Sequence, residues 1–425
     1  MILRLVKDKL TWIFLIATAL MALLMTFSYL GAFLSPVDNT HNLPLAVVNG
    51  DQGFNTDQQT LNYGQQVVAQ LTGPQANDML KWSLLDKREL AEAELKQNKY
   101  YAVLVIPTNY SAALAAIANP TTAQPQAAQV EILTNLAAGT LAGSQAQAAA
   151  QAVVAELARS TSSQLVESLA AAGATLAPQR AALLGNPVQA KIVPLTTIGT
   201  HSARGMSAFY FALMLTLSGF IGTNILGTLI DIYSEQRHRK KLKISSMRIF
   251  YAKVVLYGLM AVIAGVCVTW MAVGLLGMDT PDWFTLGLFA ILGTLAVAAV
   301  SLFFQTAFGR LGLLVGIIFF TILGVPASGG AYPVQMIPGF WQFLYNLLPM
   351  RYLTDGIRSL LFLGGNQEAG LGMALVVLPA YAISGILLAW FTSYQIGRRN
   401  SWEAADGLVD QIIEHAVEVD AGANQ

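Results

Sequence analysis

The 425-residue sequence predicts an α-helical membrane protein with six transmembrane helices and an extracellular α/β domain inserted between helices 1 and 2. Three observations predict it. Charged residues make up only 11% of the chain and hydrophobic ones 55%, where a soluble domain carries about 25% charged. Six apolar stretches, at 10–34, 205–230, 254–278, 283–309, 311–326 and 369–397, hold no Asp, Glu, Lys or Arg. The basic residues between them fall on alternate sides, as membrane topology requires.

All of the stretches but the fifth reach the ~20 apolar residues that a spanning helix needs. The first is read as a retained anchor, because its apolar core exceeds the ~7–15 residues of a signal peptide and no small-residue cleavage site follows. If it were cleaved, five spans would remain. With six, the clusters Arg4/Lys7/Lys9, Arg237–Arg248, Arg310 and Arg398/Arg399 all face the cytoplasm, and the acidic loop "MDTPDW" faces outside. Both termini are then cytoplasmic. The expected organisation is 1–34 with the first span, an outer lobe at 35–204, spans two to six at 205–397, and an acidic tail at 398–425.

Within the lobe, "LPLAVVNGD" (43–51) reads as a buried strand ending in a turn, followed by a helix over 58–72. "MLKWSLLD" (79–86) reads as a strand. "DKRELAEAELKQNK" (86–99) reads as a helix with Leu90, Ala93 and either Glu94 or Leu95 near the inner face. "YYAVLVIP" (100–107) is a strand, and 108–119 a helix with Thr108 or Asn109 as N-cap. "AQVEILTN" (128–135) and "VQAKIVPL" (188–195) are strands. Strands alternating with helices predict a largely parallel sheet; the strand order is not legible. Residues 138–185 are rich in Ala and Gln, which favour helix. They predict a long helix or helical hairpin broken near Gly173 or Gly185. Asp51 and Asp57 fail the spacing of a Ca²⁺ loop and read as a surface turn.

Residues 327–366 lie outside in this topology, between spans five and six. Pro326 ends the fifth span, and Ser328-Gly329-Gly330 permits a tight reversal. Two amphipathic pieces follow, "PGFWQFLYNLLP" and "MRYLTDGIRSLLF". Trp341, Tyr345 and Tyr352 suit the headgroup layer, and Arg351 and Arg358 can extend their charges to water. Asp355 lies four residues after Arg351 and three before Arg358, a spacing that places an ion network on one helical face. The segment is either a simple anchor of the loop or a candidate outer gate, with Gly329, Gly330, Pro333, Trp341, Arg351, Tyr352, Asp355 and Arg358 as its residues.

Much chemistry is absent from the sequence. There is no G-x-x-x-x-G-K-[ST] motif, no H-E-x-x-H and no G-x-S-x-G. The four histidines are scattered, and the one cysteine, Cys267, can form no internal disulfide. We therefore expect no enzyme, no cofactor and no metal; the zero net charge offers no field for nucleic acid. The spans hold neutral polar residues such as Thr216, Ser218, Asn224, Ser301 and Gln305, read as helix–helix hydrogen bonding, and Gly312-x-x-x-Gly316 reads as a close-packing face. Proton-coupled carriers place ionisable groups in the membrane, so energy for any transport must come from a cytoplasmic partner. The stretch "DIYSEQRHRKKLKISSMRIFYAK" (231–253) is either a topological signal or a docking helix for a separate ATPase, with Glu235, Arg237, Arg239, Lys240 and Lys241 as coupling residues. The amphipathic tail 401–420 is a solvated tail or a helix lying on a partner.

Three stretches carry a resemblance: "LPLAVVNGDQG", "AELKQNKYYAVLVIPTNYSAAL" and "SGGAYPVQMIPGFWQFLYNLLPMRYLTDGIRSLLF". With the order of one span, an outer domain, then five spans, the chain resembles the phage infection protein family and the ABC-2 type permeases. The resemblance implies a homodimeric permease-like bundle in the membrane lipid of a bacterial plasma membrane, with an ABC ATPase as partner. It also implies that some relatives serve as phage receptors. Two function classes stand at this point. One is the membrane subunit of an ABC-2 type exporter. The other is a non-transporting receptor or scaffold whose outer domain binds a phage or envelope ligand.

Overall fold

The computed structural model describes residues 9–33, 43–55, 60–73, 80–119, 122, 124–171, 178–196, 198–239 and 245–423. The chain forms two compact units. One comprises Met1–Tyr210, Gly277–Asp282 and Ile322–Ala374; the other comprises Phe211–Leu276, Trp283–Thr321 and Leu375–Gln425.

The first unit contains helix α1 (Lys9–Phe33) and a lobe built on a five-stranded sheet. Its strands are β1 (Pro44–Asn49), β4 (Lys81–Leu85), β5 (Ala102–Ile106), β6 (Ala128–Thr134) and β7 (Val188–Pro194), in the order β4-β1-β5-β6-β7. The short β2 (Phe54–Asn55) and β3 (Thr60–Leu61) pair separately. β1 runs parallel to both β4 and β5, and β7 runs parallel to β6. Within the five-stranded sheet, among the described residues, only the β5–β6 pair is antiparallel, with Ala102 opposite Thr134. The largely parallel sheet that the alternating elements predicted is thus present, wound in two halves of opposite direction.

Period-two alternation sends successive side chains to opposite faces. Leu45, Val47, Leu104 and Ile106 point to one face and share an apolar cluster with Val67 of α2 (Tyr63–Thr72) and Leu114 of α4 (Tyr110–Ala118). Ala46, Val48, Val103 and Val105 point to the other face, where α3 (Arg88–Lys96) covers them. Each fully buried Leu of this core contributes roughly 1.5–3 kcal/mol. On α3 the inner residues are Ala91 and Leu95; Leu90 is exposed, and so is Ala93. Of the predicted inner residues, Leu95 is buried, and Ala91 takes the place expected of Leu90 and Ala93. The helix starts at Arg88, and the side toward Glu131 is taken by the ion pairs of Arg88 with Glu92 and Glu131.

The Ala/Gln-rich stretch forms the 32-residue α5 (Thr140–Ala171) and then α6 (Pro178–Gly185). Ala142, Ala146, Ala150 and Val154 repeat at i+4 and are buried, a stripe of small residues that lets the helix lie close on the sheet. Of the two expected break points, Gly173 lies outside the described residues and Gly185 is the last residue of α6. Asp51 is no surface turn. It is 9% exposed and accepts from Gly64 N at 3.0 Å, Ser111 N at 3.0 Å and Ser111 Oγ at 2.5 Å. Its carboxylate therefore ties the first turns of α2 and α4 together, where backbone N–H groups lack helical partners. Asp57 lies outside the described residues.

In the second unit, the apolar helices are α7 (Ser207–Arg239), α8 (Ser246–Thr269), α9 (Trp283–Phe308), the short α10 (Gly312–Gly316) and α13 (Leu371–Ala423); α7 and α13 begin in the first unit. Single π-helical stretches extend α8 over Trp270–Leu275 and α10 over Ile317–Leu323. Among the described residues, four helices are long and apolar enough to cross a membrane: Ser207–Gln236, Ser246–Leu275, Trp283–Phe308 and Leu371–Arg399. The first and fifth predicted spans appear as shorter apolar helices, Ala19–Phe33 and Gly312–Leu323. α9 is the most buried of the four. Its Ala298 and Leu302 form an apolar cluster with Phe250 and Tyr257 of α8 and Ala389 of α13. Close approach here depends on missing side chains. A Cβ at Gly385 would lie 2.7 Å from the Ala299 backbone, and one at Gly316 would lie 2.4 Å from the Phe220 ring.

Candidate functional sites: a buried charge cluster and a pinned elbow

The first site lies wholly within the first unit. After the short turn Pro326–Ser328, Gly329 adopts φ 66°, the left-handed region open to glycine, and the chain reverses there as its composition predicted. Two helices follow, α11 (Gly339–Tyr345) and α12 (Pro349–Phe362). Pro349 opens α12, a position where its missing N–H costs nothing. On α12 the predicted ion network is present. Arg358 Nη1 donates to Asp355 Oδ1 at 3.0 Å, and Arg351 Nε lies 3.5 Å from Asp355 Oδ2. Tyr345 donates its hydroxyl to the same carboxylate at 3.1 Å.

The environment of this network differs from the predicted one. Arg358 does not extend to water: its side chain is 8% exposed, and Nη2 donates to the Gly329 carbonyl at 3.2 Å. Arg351 lies over the Tyr345 ring at 4.0 Å and reaches Asn346 Oδ1. Trp341 and Tyr352 are buried against protein; Trp341 packs against Phe27 of α1 and Phe340. Pro333 is buried and leads a short turn, Val334–Met336. Gly330 is also buried, and a Cβ there would lie 2.0 Å from the Phe209 ring. The reason is the lobe. Met336 belongs to the same apolar cluster as Leu45 and Leu104, and the Tyr101 hydroxyl donates to Gln335 Oε1 at 3.1 Å. With water excluded, both guanidinium groups turn to the one carboxylate of Asp355. Burial, opposed by the nearby Arg358, pushes the Tyr101 hydroxyl up to about 12, and burial together with Asp355 pushes Tyr345 well above the usual tyrosine range.

The second site lies within the second unit, at the end of α7 and the start of α8. Asp231 Oδ1 and Lys253 Nζ are 2.9 Å apart. The Lys253 side chain is 9% exposed and that of Asp231 58%, so a nearly buried ammonium reaches out to a solvated carboxylate. Ser245 caps α8, accepting from Arg248 N. Glu235 is exposed on α7. Arg237 and Arg239 lie on the last turn of that helix, and Lys240 and Lys241 lie outside the described residues. Deeper in the unit, Tyr257 donates to Gln305 Oε1 at 2.5 Å, and Gln305 Nε2 donates to Asn224 Oδ1 at 3.3 Å. The helix–helix hydrogen bonding expected of Asn224 and Gln305 is therefore present. Thr216 instead donates to Ala212 O on its own helix.

Sequence reasoning missed Tyr101, Gln335 and the Asp231–Lys253 pair. For the pair a signal existed: Asp231 is the first acid after the second apolar stretch, and Lys253 is the last base before the third. For Tyr101 and Gln335, 234 positions apart, there was none.

These arrangements can be set beside known proteins. A family model described as "Protein of unknown function (DUF3533)" matches residues 14–387. The chain belongs to that family. It is 24% identical over 202 residues to the "Uncharacterized protein YhgE" of Bacillus subtilis (strain 168), covering 46% of this chain and 25% of that one. The match thus spans about a quarter of the relative's length. A solved structure, titled a domain of a "putative ABC type-2 transporter" from Thermotoga maritima MSB8, shares 20% identity at a TM-score of 0.24, covering 40% of this chain and 98% of that one. The resemblance read from the residues agrees with the family membership and the likeness to YhgE. The DUF3533 chain is a membrane protein with an α/β lobe.

Proposed function

We propose that this DUF3533 protein is the membrane-spanning permease subunit of an ABC-2 type exporter, or a close relative of one. The chain itself carries no catalysis. A separate ATPase docks on the 231–253 elbow, and two copies form a path between their bundles. The first and fifth apolar helices complete six spans in the bacterial plasma membrane, with both termini in the cytoplasm and the lobe outside. The observation that carries this reading is the pinned elbow. A force applied at Glu235 or the adjoining basic residues reaches α7 and α8 together, because the Asp231–Lys253 pair joins them. Within the other unit, the Arg358–Gly329 bond and the Tyr101–Gln335 bond make the 327–366 segment and the lobe one element. That segment is a gate which moves with the lobe.

The test is purification of the full chain from its native membranes. An ATPase is expected to co-purify, and the combined reversal Glu235→Lys/Arg237→Glu is expected to abolish its recovery while leaving the chain folded. If no ATPase co-purifies with the unaltered chain, the exporter reading fails, and the receptor or scaffold class takes its place.

A further inference from the structure

We propose that the crevice at the carboxyl ends of β1 and β5 is a binding site for a neutral saccharide. The inference goes beyond the exporter reading and does not depend on an ATPase.

The first ground is topological. β1 leads through α2 to β4, its neighbour on one side. β4 then leads through α3 to β5, which is the neighbour of β1 on its other side. Val67 of α2 packs with Leu45 and Val47, whereas Ala91 and Leu95 of α3 pack with Ala46 and Val48. The two connections therefore cover opposite faces, and the winding reverses between β1 and β5. In open α/β sheets a ligand crevice opens outside the carboxyl ends of the strands at this point.

The second ground is the cavity found there. Its volume is about 620 Å³, within the ~300–1,000 Å³ of small-molecule sites. Asn49 and Thr108 stand at the strand ends, Arg88 at the start of α3, and Gln126, Gln129 and Glu131 on the third side. The floor is bare. Gly50 N donates to Ile106 O at 3.0 Å, carrying the β1–β5 pairing past the strand ends, and a Cβ at Gly50 would lie 2.9 Å from that oxygen.

The third ground is the chemistry of the walls, which selects the ligand class. Arg88 Nε donates to Glu92 at 2.9 Å and Nη1 to Glu131, which also holds Lys191 at 3.0 Å. The guanidinium is thus oriented in advance, with its charge already balanced. The carboxylates of Asp86, Glu89 and Glu131 outnumber the cations of Lys87 and Arg88 around the cavity. No positive field invites a phosphate, and walls of side-chain amides do not suit a hydrocarbon. Asn49 Oδ1 accepts from the Asp51 N–H at 3.0 Å, which fixes the rim of the crevice at the end of β1. Amides, a fixed guanidinium and a carboxylate match vicinal hydroxyls, which both donate and accept.

The experiment is calorimetric titration of the full-length protein, in a detergent that carries no sugar, with the tetramer of N-acetylglucosamine. Saturable binding is expected with a Kd below about 1 mM. Gln129 is exposed on β6, so Gln129→Trp fills the crevice without touching the core. It is expected to weaken binding at least about tenfold with an unchanged unfolding temperature. Arg88→Gln is expected to weaken it similarly. No saturable heat up to about 10 mM overturns the proposal. So does an affinity in both variants unchanged from that of the unaltered protein, or displacement of the saccharide by an equal concentration of inorganic phosphate.

Discussion

The Tyr101 hydroxyl donates to Gln335 Oε1 at 3.1 Å. Tyr101 immediately precedes the central strand of the lobe, and Gln335 sits in the turn between two apolar helices far along the chain. This bond and the shared burial of Met336 make the reversal at Gly329 a part of the lobe's own packing. Its consequences can be measured.

The Asp355 carboxylate serves Arg358, Arg351 and Tyr345. Asp355→Ala leaves the nearly buried Arg358 charge uncompensated, which costs about 3–5 kcal/mol. The double variant Asp355→Leu/Arg358→Met removes both charges and is expected to be more stable than Asp355→Ala. Thermal unfolding in detergent micelles compares them; equal unfolding temperatures for the single and double variants would refute a paired buried charge.

Stability is expected to fall in alkali through the lobe's tyrosines. Burial pushes Tyr101 and Tyr110 from 10.0 up to about 12. A raised phenol pKa means that the folded state holds its proton where the unfolded state has lost it. The contribution is intact below pH 10 and is lost as pH rises toward 12, at no more than about 1.4 kcal/mol per pH unit for each group. Tyr101→Phe removes one of the two and is expected to flatten the decline. A denaturation series across that window tests the slope.

At the elbow, the two partners of one ion pair are not equivalent. Lys253 is nearly buried and Asp231 is mostly solvated. Asp231→Ala strands a buried ammonium, whereas Lys253→Met replaces it with a chain of similar length and leaves a hydrated carboxylate. Asp231→Ala is expected to be the more damaging, by about 1–3 kcal/mol. The reverse order in melting temperature would show that the pair contributes nothing at this end of α7 and α8.

Gly227 lies beneath the polar chain of the second unit. A Cβ there would sit 2.5 Å from the Tyr257 hydroxyl and 2.6 Å from Gln305 Oε1. Gly227→Ala is expected to cost about 1–3 kcal/mol by overpacking. Removing the offending oxygen in Gly227→Ala/Tyr257→Phe recovers part of the loss. A double-mutant cycle reads the coupling; additive losses would count against direct contact.

The sequence by itself determined the elements. Apolar runs without charge predicted the long helices. Apolar runs of strand length in "LPLAVVNGD" and "YYAVLVIP" predicted β1 and β5, and the i, i+3, i+4 spacing of Arg351, Asp355 and Arg358 predicted their network. These are local signals, set by residues within a turn or two of one another. Tertiary structure alone decided what each element meets. The order β4-β1-β5-β6-β7, the antiparallel β5–β6 joint, the burial of Trp341 and Arg358, and the bonds Tyr101–Gln335 and Asp231–Lys253 all join residues distant in the chain. Their physical cause is exclusion of water. A tryptophan or arginine pattern that suits a wet membrane surface suits a packed interior equally well once a partner covers it, and the covering partner is fixed by the folded chain rather than by neighbouring sequence.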